Sequence, residues 1–127
     1  SHGVMARMPT DFRDGKTFPR PGRQAAGEAL WLFRIADKAR AAKEGTIFDY
    51  VYPCPMDRGV LERWGVSIAE FEVALDDYAE DDTLLAWFRN RVQPEAIQNA
   101  NRWLSQEKAE NLDRQDREEG VAASKRA

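Results

Sequence analysis

The chain has 127 residues, 43% apolar and 32% charged, with a formal net charge of −3, one cysteine and one histidine. That length fits one domain with its own core, and no apolar run approaches the roughly 18 residues that a membrane-spanning helix needs. With the lone histidine set aside as part of a tag-like opening, one cysteine and no histidine supply neither the usual zinc ligand sets nor a Ser–His–Asp or Cys–His catalytic arrangement.

The lone histidine, His2, sits in an opening "SHG" that reads as an expression-tag remnant. No secretory h-region follows it, and a single cysteine leaves no internal disulfide, so the expected location is cytoplasmic. The net charge hides an asymmetry. Residues 1–44 carry nine basic and five acidic side chains, whereas residues 45–104 carry five basic and eleven acidic ones. Such a dipole can steer ligands or self-association. It is too weak for nucleic acid to be the expected partner.

Residues 1–21 read as an extended arm, because Pro19 and Pro21 bias their predecessors away from helix. A first helix is predicted from Pro21 or Gly22 to Glu44, stopped by Gly45. At about 100° per residue, Ala25, Ala29, Ile35, Ala36 and Ala39 gather around Leu32, and Trp31 and Phe33 widen the apolar arc. That makes the helix central. Its exception is a stripe of Arg34, Asp37, Lys38 and Ala41 on one side.

"FDYVYPCPMD" (Phe48 to Asp57) then reads as an extended strap, β-prone but stopped by Pro53 and Pro55. Asp57 is predicted to cap a short helix through Trp64, ended by Gly65. Ser67 and Glu70 form a capping-box pattern for a third helix through about Tyr78, burying Ile68, Phe71, Val73, Leu75 and Tyr78 in varying degree. "DDYAEDD" (Asp76 to Asp82) breaks it, and Asp81 or Asp82 caps a fourth helix that ends before Pro94. Pro94 opens a last, long helix, amphipathic to Leu104 and highly charged beyond Ser105, with only Ala109 and Leu112 as apolar points. The expected organisation is an arm (1–21), a single all-α domain of about five helices (22–104) and a charged C-terminal helix or tail (105–127). A homo-oligomer through that tail is one expected partner, since a lone charged helix does not stand without packing.

Chemistry-bearing residues gather around the first helix and the strap. Arg34 and Lys38 are neighbours at i,i+4, and Asp37 is placed to offset Arg34. On a central helix these charges need compensation, from Asp57, from an acidic residue of the C-terminal half, or from an anionic ligand. Tyr50 and Tyr52 alternate along an extended segment, so both face one side. Cys54 precedes a helix start on the Arg34/Lys38 side, which suits a thiolate, but without a histidine base it reads better as a small packed side chain. The aspartates of "DDYAEDD" lack the ligand spacing and glycine of a calcium loop, and no metal or cofactor is expected. The four tryptophans, on separate predicted helices, suit a small aromatic core.

"WLFRIADKARA" (Trp31 to Ala41), "YVYPCPMD" (Tyr50 to Asp57) and "DDTLLAWF" (Asp81 to Phe88), in this order after "FPRP" (Phe18 to Pro21), resemble the bacterial family known as domain of unknown function 5069. The likeness spans Asp11 to Phe88, and Phe33 stands where many relatives have a proline before the arginine. The resemblance implies a small helical domain and carries over no catalytic residue. The leading functional expectation is a non-enzymatic module for a small anionic or planar ligand, bound by Arg34, Asp37, Lys38, Tyr50, Tyr52, Cys54 and Asp57. Alternatives are a protein–protein or oligomeric scaffold, and an enzyme using Tyr, Cys or Asp as acid or base.

Overall fold

The computed structural model describes residues 9–121. It contains six helices: α1 (Leu32–Glu44), α2 (Pro55–Trp64), α3 (Ile68–Asp77), α4 (Asp81–Arg91), α5 (Pro94–Arg102) and α6 (Ala109–Glu118). No strand occurs among the described residues, and none of their helices is long and apolar enough to cross a membrane. The all-α expectation holds. The count rises from five to six because the predicted last helix divides at a π-helical turn, Trp103–Glu107, where Lys108 N–H reaches the Trp103 carbonyl. His2 and the other residues of the "SHG" opening lie outside the described residues.

The first helix begins ten residues later than its composition predicts. Residues 22–31 form a closed loop instead, with Trp31 N–H bonded to the Gly22 carbonyl at 2.8 Å. Inside it Ala26 and Ala29 exchange two backbone bonds across a tight turn at Gly27, whose φ is +60°. Trp31 itself is left-handed at φ 78°, which no helical residue adopts, so α1 starts at Leu32. Consequently Ala25 is exposed and lies on no helix face. The loop also explains Gly22: a Cβ there would fall 2.5 Å from the Trp31 ring.

Once started, α1 runs through the middle of the molecule. Leu32, Ile35 and Ala36 are fully buried, and so are Arg34, Asp37 and Lys38 on its other side. Gly45 ends it in the left-handed region, as predicted. Around it the core is closed by Val60, Leu61 and Trp64 of α2, Phe71 and Leu75 of α3, Leu84 and Phe88 of α4, and Ile97 and Ala100 of α5. Trp64 meets Phe88 edge-on at 4.8 Å. Trp31 and Trp64 are core residues, whereas Trp87 and Trp103 are only half-buried against it. Val73 is 58% exposed, against expectation, because the buried face of α3 is Phe71, Ala74 and Leu75.

Several helix starts differ in detail. Cys54, not Asp57, is the cap of α2: its Sγ accepts from Asp57 N–H at 3.4 Å, while the Asp57 carboxylate accepts from Cys54 N–H at 3.0 Å. Ser67 caps α3 by accepting from Glu70 N–H, but the Glu70 carboxylate turns to Arg91 rather than back to the cap. Glu80 precedes α4 without a side-chain cap bond, so neither Asp81 nor Asp82 caps it.

The charged C-terminal stretch folds back onto its own chain. Leu112 is buried near Gly22 and Trp31, and Arg23 bridges Asp113 (2.9 Å) and Asp116 (3.1 Å) of α6. The charge asymmetry of the sequence is thereby used internally. Arg20, Arg23, Arg34, Lys38 and Lys43, all from the basic first third, end on carboxylates, most of them from the acidic remainder.

Candidate functional site

Three polar clusters occupy the flanks of α1. The first joins α1 to the strap and α2. Lys38 donates its ammonium to Asp57 Oδ2 at 2.8 Å and lies 3.3 Å from Cys54 Sγ. Asp57 is fully buried and also accepts from the Trp31 indole at 2.8 Å, so three donors engage both its oxygens. A carboxylate without such donors would be expensive here.

The second cluster joins α1 to the chain just beyond α6. Arg34 grips Glu119 with both terminal nitrogens, at 2.8 and 2.7 Å, a bidentate geometry that lysine cannot reproduce. Tyr50 donates its hydroxyl to the same carboxylate at 2.8 Å. Burial pulls the Arg34 pKa down, but Glu119 more than reverses this, and the net direction is upward. The Tyr50 phenol is pushed above its ordinary range, first by burial and then by the anionic acceptor.

The third cluster ties the proline-rich arm to the fold. Asp37 receives the backbone N–H, Nε and Nη2 of Arg20 within 3.0 Å, and the same guanidinium reaches Asp81 at 2.7 Å. Arg20 also stacks on Phe33 at 4.2 Å, which gives a use to the aromatic at that position. Asp37 therefore does not orient Arg34. It is turned to the opposite neighbour.

Of the seven residues singled out from sequence, three border one cleft. Lys38, Tyr50 and Cys54 line a hollow of about 550 Å³ between the arm, the strap and α6. Phe12, Phe18, Phe48 and Val51 supply its apolar wall, and Arg114, Glu118 and Glu119 its α6 side. Arg34 and Asp57 stand behind this surface through Glu119 and Lys38. Tyr52 faces elsewhere. It donates to Glu72 at 3.0 Å and lines a separate hollow of about 470 Å³ between α1 and α3. Its phenol too is raised, by burial and then by Glu72. The two tyrosines part because the strap turns at residues 48–49 and again at 52–53, with Phe48 left-handed at φ 57°, so strand alternation does not apply.

Arg20, Trp31, Asp81 and Glu119 were not singled out for these networks by sequence. Arg20 carries a signal, as the one charge within "FPRP". Glu119 carries none, being one carboxylate among many in a charged stretch. No group of three or more His, Cys, Asp or Glu among the described residues is placed to hold a metal ion.

The family comparison extends the likeness read from the sequence motifs. The model of the family described as "Domain of unknown function (DUF5069)" matches residues 16–127. The chain belongs to the DUF5069 family. The match includes the charged C-terminal stretch, which the likeness over Asp11 to Phe88 had left out, and that inclusion fits a segment whose Glu119 and Leu112 are built into the domain. Comparison with curated proteins finds none that matches this DUF5069 chain.

Proposed function

We propose that this DUF5069 protein is a non-enzymatic binding module that takes a small planar ligand, with a polar or anionic group, in the cleft between arm, strap and α6. The observation that carries the reading is the lining of that cleft, aromatic and apolar on one side and ending at the Lys38 ammonium and the Cys54 thiol. Phe48 and Val51 are 58% and 64% exposed, which leaves apolar surface at the cleft for a ring to cover. Stacking on Phe48 and Tyr50 would hold a ring, and Arg114 on α6 would meet its charge.

Acid–base catalysis has less support. Both strap tyrosines are pushed further from deprotonation, and Asp57 does not line the cleft. An oligomeric scaffold through the C-terminal helix also has less to rest on, because Leu112 of α6 is committed to the core and Asp113 and Asp116 to Arg23.

The test is a fluorescence titration with 1-anilinonaphthalene-8-sulfonate, a planar anion that brightens in apolar clefts. Saturable binding by the parent is expected, weakened about threefold to tenfold by Phe48→Ala and by Arg114→Ala. Binding that is absent, or unchanged in both variants, defeats the reading.

A further inference from the structure

Away from the cleft, two cations gather on one indole where α5 gives way to the π turn, and a third, Arg102, stands next to it in the chain. The Arg63 guanidinium carbon lies 4.1 Å from the Trp103 ring centroid, and the Lys108 ammonium lies 5.5 Å from it. Arg63 is further held by a bond from Nη1 to the Gly59 carbonyl at 3.1 Å. Arg102 reaches Asn99 Oδ1. The platform is fixed: a Cβ on Gly59 would fall 2.1 Å from the Trp103 ring, so the indole lies directly on the α2 backbone.

Arg63, Asn99, Arg102 and Trp103 edge a hollow of about 330 Å³, completed by Gln106 and Glu107. Its lining carries two arginines. Arg20, Arg23, Arg34 and Lys38 all end on carboxylates, whereas Arg63, Arg102 and Lys108 have no salt-bridge partner among the described residues. Glu107, in the same lining, offsets one of its two arginines in formal charge. A π turn inserted in a helix costs hydrogen-bond geometry and recurs at functional sites; three residues of this one, Trp103, Gln106 and Glu107, line the hollow.

We propose that this hollow is a second binding site, taking the phosphate group of a small phosphorylated ligand. The guanidinium forks of Arg63 and Arg102 match a phosphate dianion in charge and geometry. The Asn99 and Gln106 amides supply further donors, and the exposed edge of Trp103 packs against whatever carries the phosphate. The site shares no residue with the cleft and stands or falls separately from it.

The test follows the Trp103 indole N–H in 1H–15N spectra, assigned with Trp103→Phe, during titration with inorganic phosphate. Sodium chloride at matched ionic strength is the control. A saturable shift with phosphate and not with chloride is expected. Arg63→Gln and Arg102→Gln are each expected to weaken it about tenfold, while Phe48→Ala in the cleft leaves it intact. Arg102 is exposed, so its variant carries the test should Arg63→Gln fail to fold. Equal movement with chloride, no saturable movement, or an unchanged response in Arg102→Gln overturns the proposal.

Discussion

Glu119 closes on Arg34 across 85 residues of sequence, with both carboxylate oxygens engaged and both side chains nearly inaccessible, at 5% and 2% exposure. Removing only one partner leaves a buried charge without its counterion. Glu119→Ala is therefore expected to destabilise the fold by about 3–5 kcal/mol. The apolar double variant Arg34→Met/Glu119→Leu is expected to cost clearly less than the single one. Urea unfolding of the three proteins checks both statements, and a single variant as stable as the parent would remove the assigned role of the pair.

Lys38 and Asp57 invite a similar comparison at the other end of the strap. Lys38→Met leaves Asp57 with the Trp31 indole and the Cys54 amide but no cation, and a loss of about 3–5 kcal/mol is expected. Asp57→Asn keeps the shape and removes the charge, so its cost falls on Lys38 instead. A coupling energy in the double-mutant cycle near zero would show that the ion pair does not hold strap to helix.

Tyr50 and Tyr52 set the alkaline limit. Each phenol is held above its ordinary value of 10.0 in the folded state, so above that pH the unfolded chain releases protons that the folded one retains. The unfolded state then binds fewer protons, and stability falls as pH rises. Their stabilising contribution is complete below about pH 10 and is lost progressively above it. Denaturant unfolding between pH 9 and pH 11 is expected to show that decline, and Tyr50→Phe/Tyr52→Phe is expected to show a shallower one. Identical slopes would mean that the two phenols do not contribute.

Gly59 tests the seating of Trp103 independently of any ligand. Its Cβ would meet the indole at 2.1 Å, against a ring pinned between α2 and the π turn. Gly59→Ala is expected to lower stability by about 1–3 kcal/mol through overpacking, despite alanine's better helix propensity. Pairing it with Trp103→Ala, which empties the space, is expected to recover most of that loss. Thermal unfolding of the two variants and their combination measures it.

Periodicity, glycine stops and proline starts by themselves determined the helical class, the central place of α1 and the ends of α1 and α2 at Gly45 and Gly65, because such signals act within a few residues. They also drew attention to Arg34, Lys38, Tyr50, Cys54 and Asp57, since charges on an apolar helix demand partners. Only the tertiary structure decided who those partners are. Arg20 took Asp37, Glu119 took Arg34, and Trp31 joined Lys38 at Asp57, through contacts that cross 17 to 85 residues. The same holds for the late start of α1, where a left-handed Trp31 and a closed loop override an alanine-rich stretch of good helix propensity. Local sequence sets which backbone conformations are inexpensive. Which buried charge meets which is settled by how the packed helices bring distant segments together.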